Sequence, residues 1–190
     1  MHPPRYTLAL RILHWLLAVL ILGLIAVGWT MKEVKGLGPL RGDLYSLHKS
    51  FGVMALTLIF LRIAVRMVAP SPPLPSTLPA MERRLAHVGH LLLYLGMIFV
   101  PLSGFVMSMA GGHGIKFFGA PLPTLMATDK PLASLAHEVH ELLPYLLLGV
   151  IALHVAGALK HRFFDIPEND VLPRMGLPGK KGLTPPPPSA

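Results

Sequence analysis

Four long apolar stretches dominate the pattern of hydrophobic and polar positions along this chain. They cover residues 8–31, 44–68, 85–109 and 135–160, and only isolated charged or histidine side chains interrupt them. A helix needs about 20 mostly apolar residues to cross the hydrocarbon core of a bilayer. The pattern therefore predicts an all-α protein, a four-helix transmembrane bundle surrounded by the lipid bilayer.

The segments between these stretches are typical of loops. Residues 32–43 and 110–134 contain glycines, and residues 69–80 are rich in proline. We expect one domain, residues 1–165, that holds all four spans. Residues 166–190 end in a proline run and are predicted to form a disordered tail.

The composition supports a membrane protein. Of the 190 residues, 53% are hydrophobic and only 14% are charged, whereas soluble domains average about 25% charged residues. The chain has no cysteine. Disulfides, thiolate metal ligands and covalent attachment of haem through a C-x-x-C-H motif are therefore excluded.

The distribution of positive charge predicts the orientation. The net charge is +8, and 11 of the 17 Lys and Arg residues lie near the N-terminus, the second connection and the tail. Lys and Arg are enriched in cytoplasmic loops, so we expect both termini in the cytoplasm. This topology explains the net charge, and no nucleic-acid partner is expected.

Histidines inside the apolar stretches are the main candidates for function, because ionisable residues in a membrane are costly. His140 and His154 are 14 residues apart. At about 100° per residue they share one helix face, about 21 Å apart along the axis. Depth in the membrane then pairs His14 with His154 on the inner side and His48 with His140 on the outer side. Two stacked imidazole pairs among apolar walls predict two non-covalent b-type haems.

Two alternatives for the histidines remain open. His137 is a second candidate for the outer ligand, although its 17-residue distance from His154 turns it about 100° away from that face. Glu138 and Glu141 lie beside the outer histidines, and His with carboxylates also suits a metal transporter. No carboxylate accompanies His14 or His154 in the inner half of the spans.

Further residues are candidates for contacts with the haems or with a quinone. Arginine binds carboxylates bidentately, so Arg11 and Arg62 are predicted partners of haem propionates. Small residues near the ligands, Gly52 and Gly157, favour either close approach of a macrocycle or helix–helix packing. Three histidines at the inner span ends fit no ligand pair and are expected to be interfacial or to carry protons to a quinone: His87, His90 and His161.

Several motifs in this order resemble the prokaryotic cytochrome b561 family. They include RILHW (11–15), LHKSFG (47–52), PLSGFVM (101–107) and the stretch 140–164 with its 14-residue histidine spacing. The resemblance covers roughly residues 5–175. It implies a bacterial inner-membrane protein with His14, His48, His140 and His154 as axial ligands. It also implies superoxide oxidase activity, which passes electrons from periplasmic superoxide to ubiquinone.

The outer loops fit more than one electron donor. Lys32, Lys35, Arg41 and Lys49 lie on the predicted periplasmic side. Such a basic surface attracts a small anion such as superoxide, and it equally suits an acidic periplasmic redox partner. Related cytochrome b subunits anchor dehydrogenases, so the alternative function is a membrane-anchoring subunit that passes electrons between a partner dehydrogenase and quinone.

Overall fold

A computed structural model of the chain describes residues 5–69 and 71–179, and four long helices make up most of it. They are α1 (Leu8–Glu33), α2 (Leu40–Val68), α3 (Ala80–Ala110) and α4 (Lys130–Phe163). Each is long and apolar enough to cross a membrane. The predicted all-α, four-span architecture is therefore confirmed.

Helices α2, α3 and α4 begin four or five residues before the predicted boundaries of 44, 85 and 135. At the start of α4, Leu132 N donates to Asp129 Oδ1 over 3.0 Å, and Pro131 occupies the first turn. A proline is tolerated there because the first N–H groups have no partner within the helix. Hydropathy follows the part of a helix that lies in hydrocarbon, and these three helices extend beyond it, so the predicted spans began too late in the sequence.

The helices pack in pairs around a small apolar centre. Helix α3 lies along α4, α1 lies along α2, and α2 also contacts α3. The buried cluster consists of Leu17, Ile21, Ile59 and Leu147. Many other large apolar side chains on the spans are exposed, which is typical of helix surfaces that face lipid.

The two ends of the bundle carry different connections. We call the end that holds the start of α1 and the end of α4 the tail end, and the opposite end the loop end. At the loop end, β1 (Lys116–Phe117) and β2 (Ala120–Pro121) form an antiparallel hairpin. Phe118 and Gly119 both have positive φ, which is typical of a tight two-residue hairpin turn. The sequence had predicted only a loop here.

The hairpin is attached to α2 beside His48. Ser50 Oγ donates to Lys116 O over 3.0 Å and accepts from Phe118 N over 3.1 Å. The ring of Phe51 also meets the ring of Phe118 edge to face. These contacts hold the hairpin over the loop end of α2.

The predicted disordered tail is folded as far as the structure describes it. Residues 167–169 and 172–175 form two short 3-10 helices, and Asn169, Asp170 and Arg174 are buried. Arg174 Nη1 donates to Pro73 O over 2.6 Å, and Arg162 Nη1 donates to Asp170 Oδ2 over 2.6 Å. The prediction of disorder was wrong for residues 166–179, because these polar contacts tie the segment to the bundle; residues 180–190 lie outside the described residues.

Candidate functional site

Two histidine pairs lie inside the bundle, one toward each end. At the tail end the ring centres of His14 on α1 and His154 on α4 are 6.3 Å apart. At the loop end the ring centres of His48 on α2 and His140 on α4 are 6.2 Å apart. All four side chains are partly buried. The structure thus brings together the same pairs that depth in the membrane predicts.

These separations fit two imidazoles that bind opposite sides of one metal. A nitrogen–metal bond of ~2 Å, added to about 1 Å from that nitrogen to the ring centre, gives centres roughly 6 Å apart. A direct hydrogen bond between the rings would bring their centres closer. The arrangement is therefore compatible with a haem iron between the rings of each pair.

The ring of His140 is held in one orientation. His140 Nδ1 lies 2.9 Å from Val100 O and 3.1 Å from Ser103 Oγ on α3. A carbonyl only accepts, so the proton is on Nδ1 and the lone pair of Nε2 is left for a metal. Histidine ligands commonly donate their other ring N–H to a backbone carbonyl in this way.

Glycines make room for the rings at the loop end. A Cβ built on Gly104 would lie 2.8 Å from Cε1 of His140, and one on Gly28 would lie 3.5 Å from Cε1 of His48. Gly104 is thus needed for the close approach of α3 to the His140 ring. Around Gly52 and Gly157 a Cβ would meet no atom within 4 Å, so the structure does not show them in helix–helix packing.

A 14-residue spacing recurs on all four helices and divides the site into two layers. The tail-end layer and the loop-end layer each receive one residue from every helix. The tail-end layer consists of His14, Arg62, His90 and His154, and the loop-end layer of Gly28, His48, Gly104 and His140. The sequence prediction used this spacing on α4 but missed Gly28 and Gly104. The same arithmetic from His14 and His90 leads to both positions, but a glycine there gives no signal until the ring beside it is known.

His90 adds a third imidazole to the tail-end layer. Its ring centre is 5.5 Å from that of His154, closer than the 6.3 Å that separates His14 from His154. The shorter separation fits a straight ligand–metal–ligand arrangement less well than the His14 pair. His90 is therefore a neighbour of the His14–His154 pair, and the ligand roles stay a prediction.

The other two histidines predicted near the quinone lie apart from His90. His87 is exposed, and its Nδ1 donates to Arg83 O over 2.6 Å. His161 Nδ1 donates to Asp165 Oδ2 over 2.8 Å, and its Nε2 lies 3.6 Å from Glu82 Oε2. Within residues 5–69 and 71–179, no hydrogen bond, ion pair or ring contact joins His87, His90 and His161 to one another.

The two candidate arginines have different surroundings. Arg62 Nη1 donates to Leu10 O over 2.7 Å, one turn before His14, so Arg62 lies beside the tail-end pair with donors to spare. Arg11 lies against the tail, where a Cβ built on Gly176 would be 3.0 Å from its Nη1. Their contact with haem propionates stays a prediction.

The arrangement does not favour a metal transporter. His137 is exposed and lies beside Met107 Sδ and Glu141, and Glu141 forms an ion pair with Lys32. In the described part of the chain, one group of three metal-binding side chains is found, at the tail end: Glu82, His161 and Asp165. The acids beside the outer histidines therefore do not join His140 in a metal site.

Polar atoms left without partners also fit a cofactor in the loop-end layer. His48 Nδ1 is buried and has no hydrogen-bond partner in the described structure. Such atoms are rare, and each calls for an explanation such as an unseen ion or ligand. Together with the His140 tautomer and the Gly104 contact, the donor set suits haem held by two imidazoles.

Comparison with known proteins agrees with this geometry. A sequence model described as prokaryotic cytochrome b561 matches residues 5–176. "Cytochrome b561 homolog 2" of Escherichia coli K12 is 34% identical over 91% of this chain and 92% of that protein. "Probable superoxide oxidase CybB" of Yersinia pestis is 30% identical over 90% of this chain and 94% of that protein.

A second Escherichia coli protein, "Cytochrome b561 homolog 1", is 24% identical over 89% of this chain and 94% of its own length. The match therefore extends over nearly the whole of each protein, including the four spans and the histidine layers. It implies that this chain binds haem b and transfers electrons in a bacterial membrane. The chain belongs to the prokaryotic cytochrome b561 family.

Proposed function

We propose that this protein carries electrons across the bacterial inner membrane through two b haems, from superoxide outside to ubiquinone near the inside. The observation that carries the proposal is the pair of histidine layers, with ring centres 6.3 and 6.2 Å apart. His140 and His154 belong to one helix and lie about 21 Å apart along it. Two redox centres at these levels span most of the ~30 Å hydrocarbon core.

The chain's own residues position the two centres. The four histidines would hold the two haems through their imidazole nitrogens, and haem bound there would supply one-electron chemistry. Between the layers lie Leu17, Ile21, Ile59 and Leu147, which exclude water from the middle of the bundle. Apolar surroundings also limit loss of electrons to side reactions.

Of the eight residues that form the two layers, Arg62 is the one with a permanent charge, and this difference between the layers favours one direction of transfer. The loop-end lysines Lys49 and Lys116 lie outside the layer and line a cavity at that end. The tail-end layer contains the guanidinium of Arg62, whereas the loop-end layer has Gly28 and Gly104 at the non-ligand positions. A nearby positive charge stabilises the reduced form of a redox centre, which carries one positive charge less. We therefore expect the tail-end centre to have the higher potential and to receive electrons from the loop end.

A small basic cavity at the loop end suits an anionic donor. It measures about 210 Å³, and its lining includes Tyr45, Lys49, His113 and Lys116. Lys49 follows the ligand His48, and its Nζ lies 3.4 Å from Gly114 O. Positive charge in a cleft raises the encounter rate of small anions, which supports superoxide as the donor.

Reduction of the quinone also consumes protons, and the tail end has groups to provide them. His161 lies between the carboxylates of Glu82 and Asp165. The hydrogen bond from His161, with further bonds from Ile166 N and the Asn169 amide, lowers the pKa of Asp165 to about 2. Asp165 therefore stays ionised, and the imidazole of His161, held between the two carboxylates, is the group that passes protons toward the quinone in this proposal.

The overall reaction balances in electrons and protons. Each of two superoxide ions loses one electron and leaves as O2. Ubiquinone gains these two electrons together with two protons from the tail-end side and becomes ubiquinol. The excess of Lys and Arg toward the tail end supports a cytoplasmic location for both termini, so the protons come from the cytoplasm.

Spectroscopy followed by rapid mixing tests this proposal. A pyridine haemochrome assay should give two haems per chain, fully extracted by acid–acetone. Stopped-flow mixing with superoxide under excess ubiquinone should reduce the haems rapidly and form ubiquinol, at rates that fall as salt rises. One haem per chain would contradict the two-centre arrangement.

The same experiment separates the alternative function. Two haems without fast reduction by superoxide would refute the enzyme assignment and favour a membrane-anchoring cytochrome b subunit. Such a subunit passes electrons between a partner dehydrogenase and quinone, and the partner should then co-purify from mildly solubilised membranes. If superoxide does not reduce the haems, the two-haem arrangement itself is not contradicted.

A further inference from the structure

Among the described residues, the charged side chain of Arg11 has no partner. No hydrogen bond or ion pair is recorded for its guanidinium in residues 5–69 and 71–179, and its Nε is buried and unsatisfied. A buried polar group without a partner destabilises the protein, and more so when the group is charged. The guanidinium therefore needs an acceptor, and its charge and its fork of N–H donors favour an anion such as phosphate or carboxylate.

Arg11 borders a groove between α1 and the tail. The groove has a volume of about 470 Å³ and is closed on one side by residues 175–177. Its α1 wall consists of exposed apolar side chains: Leu8, Ile12, Trp15 and Leu16. The indole N–H of Trp15 donates to Met175 O over 3.1 Å, so the wall and the tail are fixed to each other.

The groove faces away from the centre of the bundle. Leu10, Leu13 and Leu17 are the buried residues on this part of α1, whereas Ile12 and Leu16 are 56% and 46% exposed. In a membrane this exposed face meets lipid. A tryptophan at its edge is typical of the boundary between hydrocarbon and headgroups.

We propose that this groove binds an anionic phospholipid, with its phosphate on the Arg11 guanidinium and its acyl chains along Ile12 and Leu16. The site combines a cation at headgroup level with apolar walls below it, which matches the chemistry of a phospholipid from phosphate to chain. Arginine near a membrane surface is attracted to anionic lipid by about 1 kcal/mol, or roughly fivefold in binding. The proposal is independent of the electron donor and acceptor.

Native mass spectrometry of the purified, haem-loaded protein tests the proposal, with phosphatidylglycerol and phosphatidylcholine as probes. Wild type should retain phosphatidylglycerol roughly fivefold better than phosphatidylcholine. Arg11→Gln should remove most of this preference. The matched control is Arg84→Gln, because Arg84 is an exposed arginine at the same end of the bundle, and it should keep the preference.

Two more variants keep the test decisive if Arg11→Gln does not fold. Arg11→Lys retains the charge but loses the planar fork, so it should keep a reduced preference for phosphatidylglycerol. Ile12→Trp fills the apolar part of the groove and should weaken retention of both lipids. Haem per chain is measured for every variant.

Several results would overturn the proposal. An equal preference in wild type and Arg11→Gln would show that Arg11 does not bind the lipid phosphate. Binding of soluble glycerol phosphate as strong as that of phosphatidylglycerol would show that the apolar walls play no part. If Arg11→Gln leaves lipid retention unchanged but shifts a haem potential, the partner of Arg11 is a propionate. If ubiquinone displaces phosphatidylcholine and phosphatidylglycerol equally, the groove holds quinone instead.

Discussion

Replacing Gly104 with alanine should displace His140, one of the four proposed haem ligands. A Cβ at position 104 would lie 2.8 Å from Cε1, 3.1 Å from Nδ1 and 3.2 Å from Nε2 of His140. Optimal contacts between carbon atoms are about 3.5 Å or more, so the ring must move by about 0.7 Å. It cannot move freely, because its Nδ1 is bound to Val100 O on the same helix as Gly104.

A displacement of this size is large for a metal ligand. Distances from a metal to its ligands vary by only about 0.2 Å. Disturbing the groups that orient a ligand typically lowers metal affinity roughly 10- to 100-fold. The backbone effect has the opposite sign, because alanine in a helix is more stable than glycine by up to about 1 kcal/mol. We therefore expect loss of the loop-end haem without loss of the fold.

The pyridine haemochrome assay measures this effect directly. Gly104→Ala should purify with close to one haem per chain, and the missing spectral component should be the one that His48→Ala also removes. Gly28→Ala is the matched control, because its Cβ would lie 3.5 Å from the His48 ring, an ordinary contact. It should keep both haems.

Two results would refute this reasoning. Full haem content and an unchanged spectrum in Gly104→Ala would show that α3 can shift to admit the Cβ without loss of haem. Gly104 would then not be needed for the position of His140. Equal loss of haem in Gly28→Ala would show that contact distance does not decide which glycine matters.

Four further predictions follow from the site. His14→Ala and His154→Ala should remove the same absorption component, and loss of different components would contradict the tail-end pair. Arg62→Gln should lower the midpoint potential of the tail-end haem by an amount on the order of tens of millivolts. A redox titration with the loop-end haem as internal reference measures this shift. Lys116→Glu should slow reduction by superoxide and weaken its salt dependence in stopped flow, whereas an unchanged rate would argue against steering. The pKa of Asp165 is lowered to about 2. The stabilisation that the ionised carboxylate gives to the tail is therefore complete above the ordinary pKa of an aspartate, near 4, and is lost as pH falls toward 2. Limited proteolysis of the tail should show this pH dependence in wild type but not in Asp165→Asn.

The outer charges show where the sequence prediction needs revision. Lys32 is paired with Glu141, and Arg41 donates to Met31 O and Val34 O over 2.7 Å each. Reversing these charges would disturb the connection between α1 and α2 as well as the surface potential. Lys116 lines the loop-end cavity and is exposed, so it is the better position for testing attraction of an anion.

The sequence alone determined the spans and the levels of the histidines. A bilayer has a fixed thickness and an α-helix has a fixed rise and turn, so an apolar stretch predicts a span and a residue number predicts both depth and face. That is why the spacing of His140 and His154 predicted a shared helix face, and depth in the membrane predicted the pairs His14–His154 and His48–His140. The same spacing carried Gly28 and Gly104, but a glycine gives no signal of its own until the ring beside it is known.

Only the tertiary structure decided which polar groups meet at the two ends of the bundle. Trp15 and Met175 are 160 positions apart in the chain, and the surroundings of Arg11 depend on how residues 175–177 return to α1. Likewise Ser50 holds a hairpin that begins 66 positions later. Helix periodicity acts over a few turns, whereas these contacts depend on how separate segments pack. The sequence therefore determined the spans and the histidine levels, and the packing of the tail and hairpin determined the charged groove and the basic cavity.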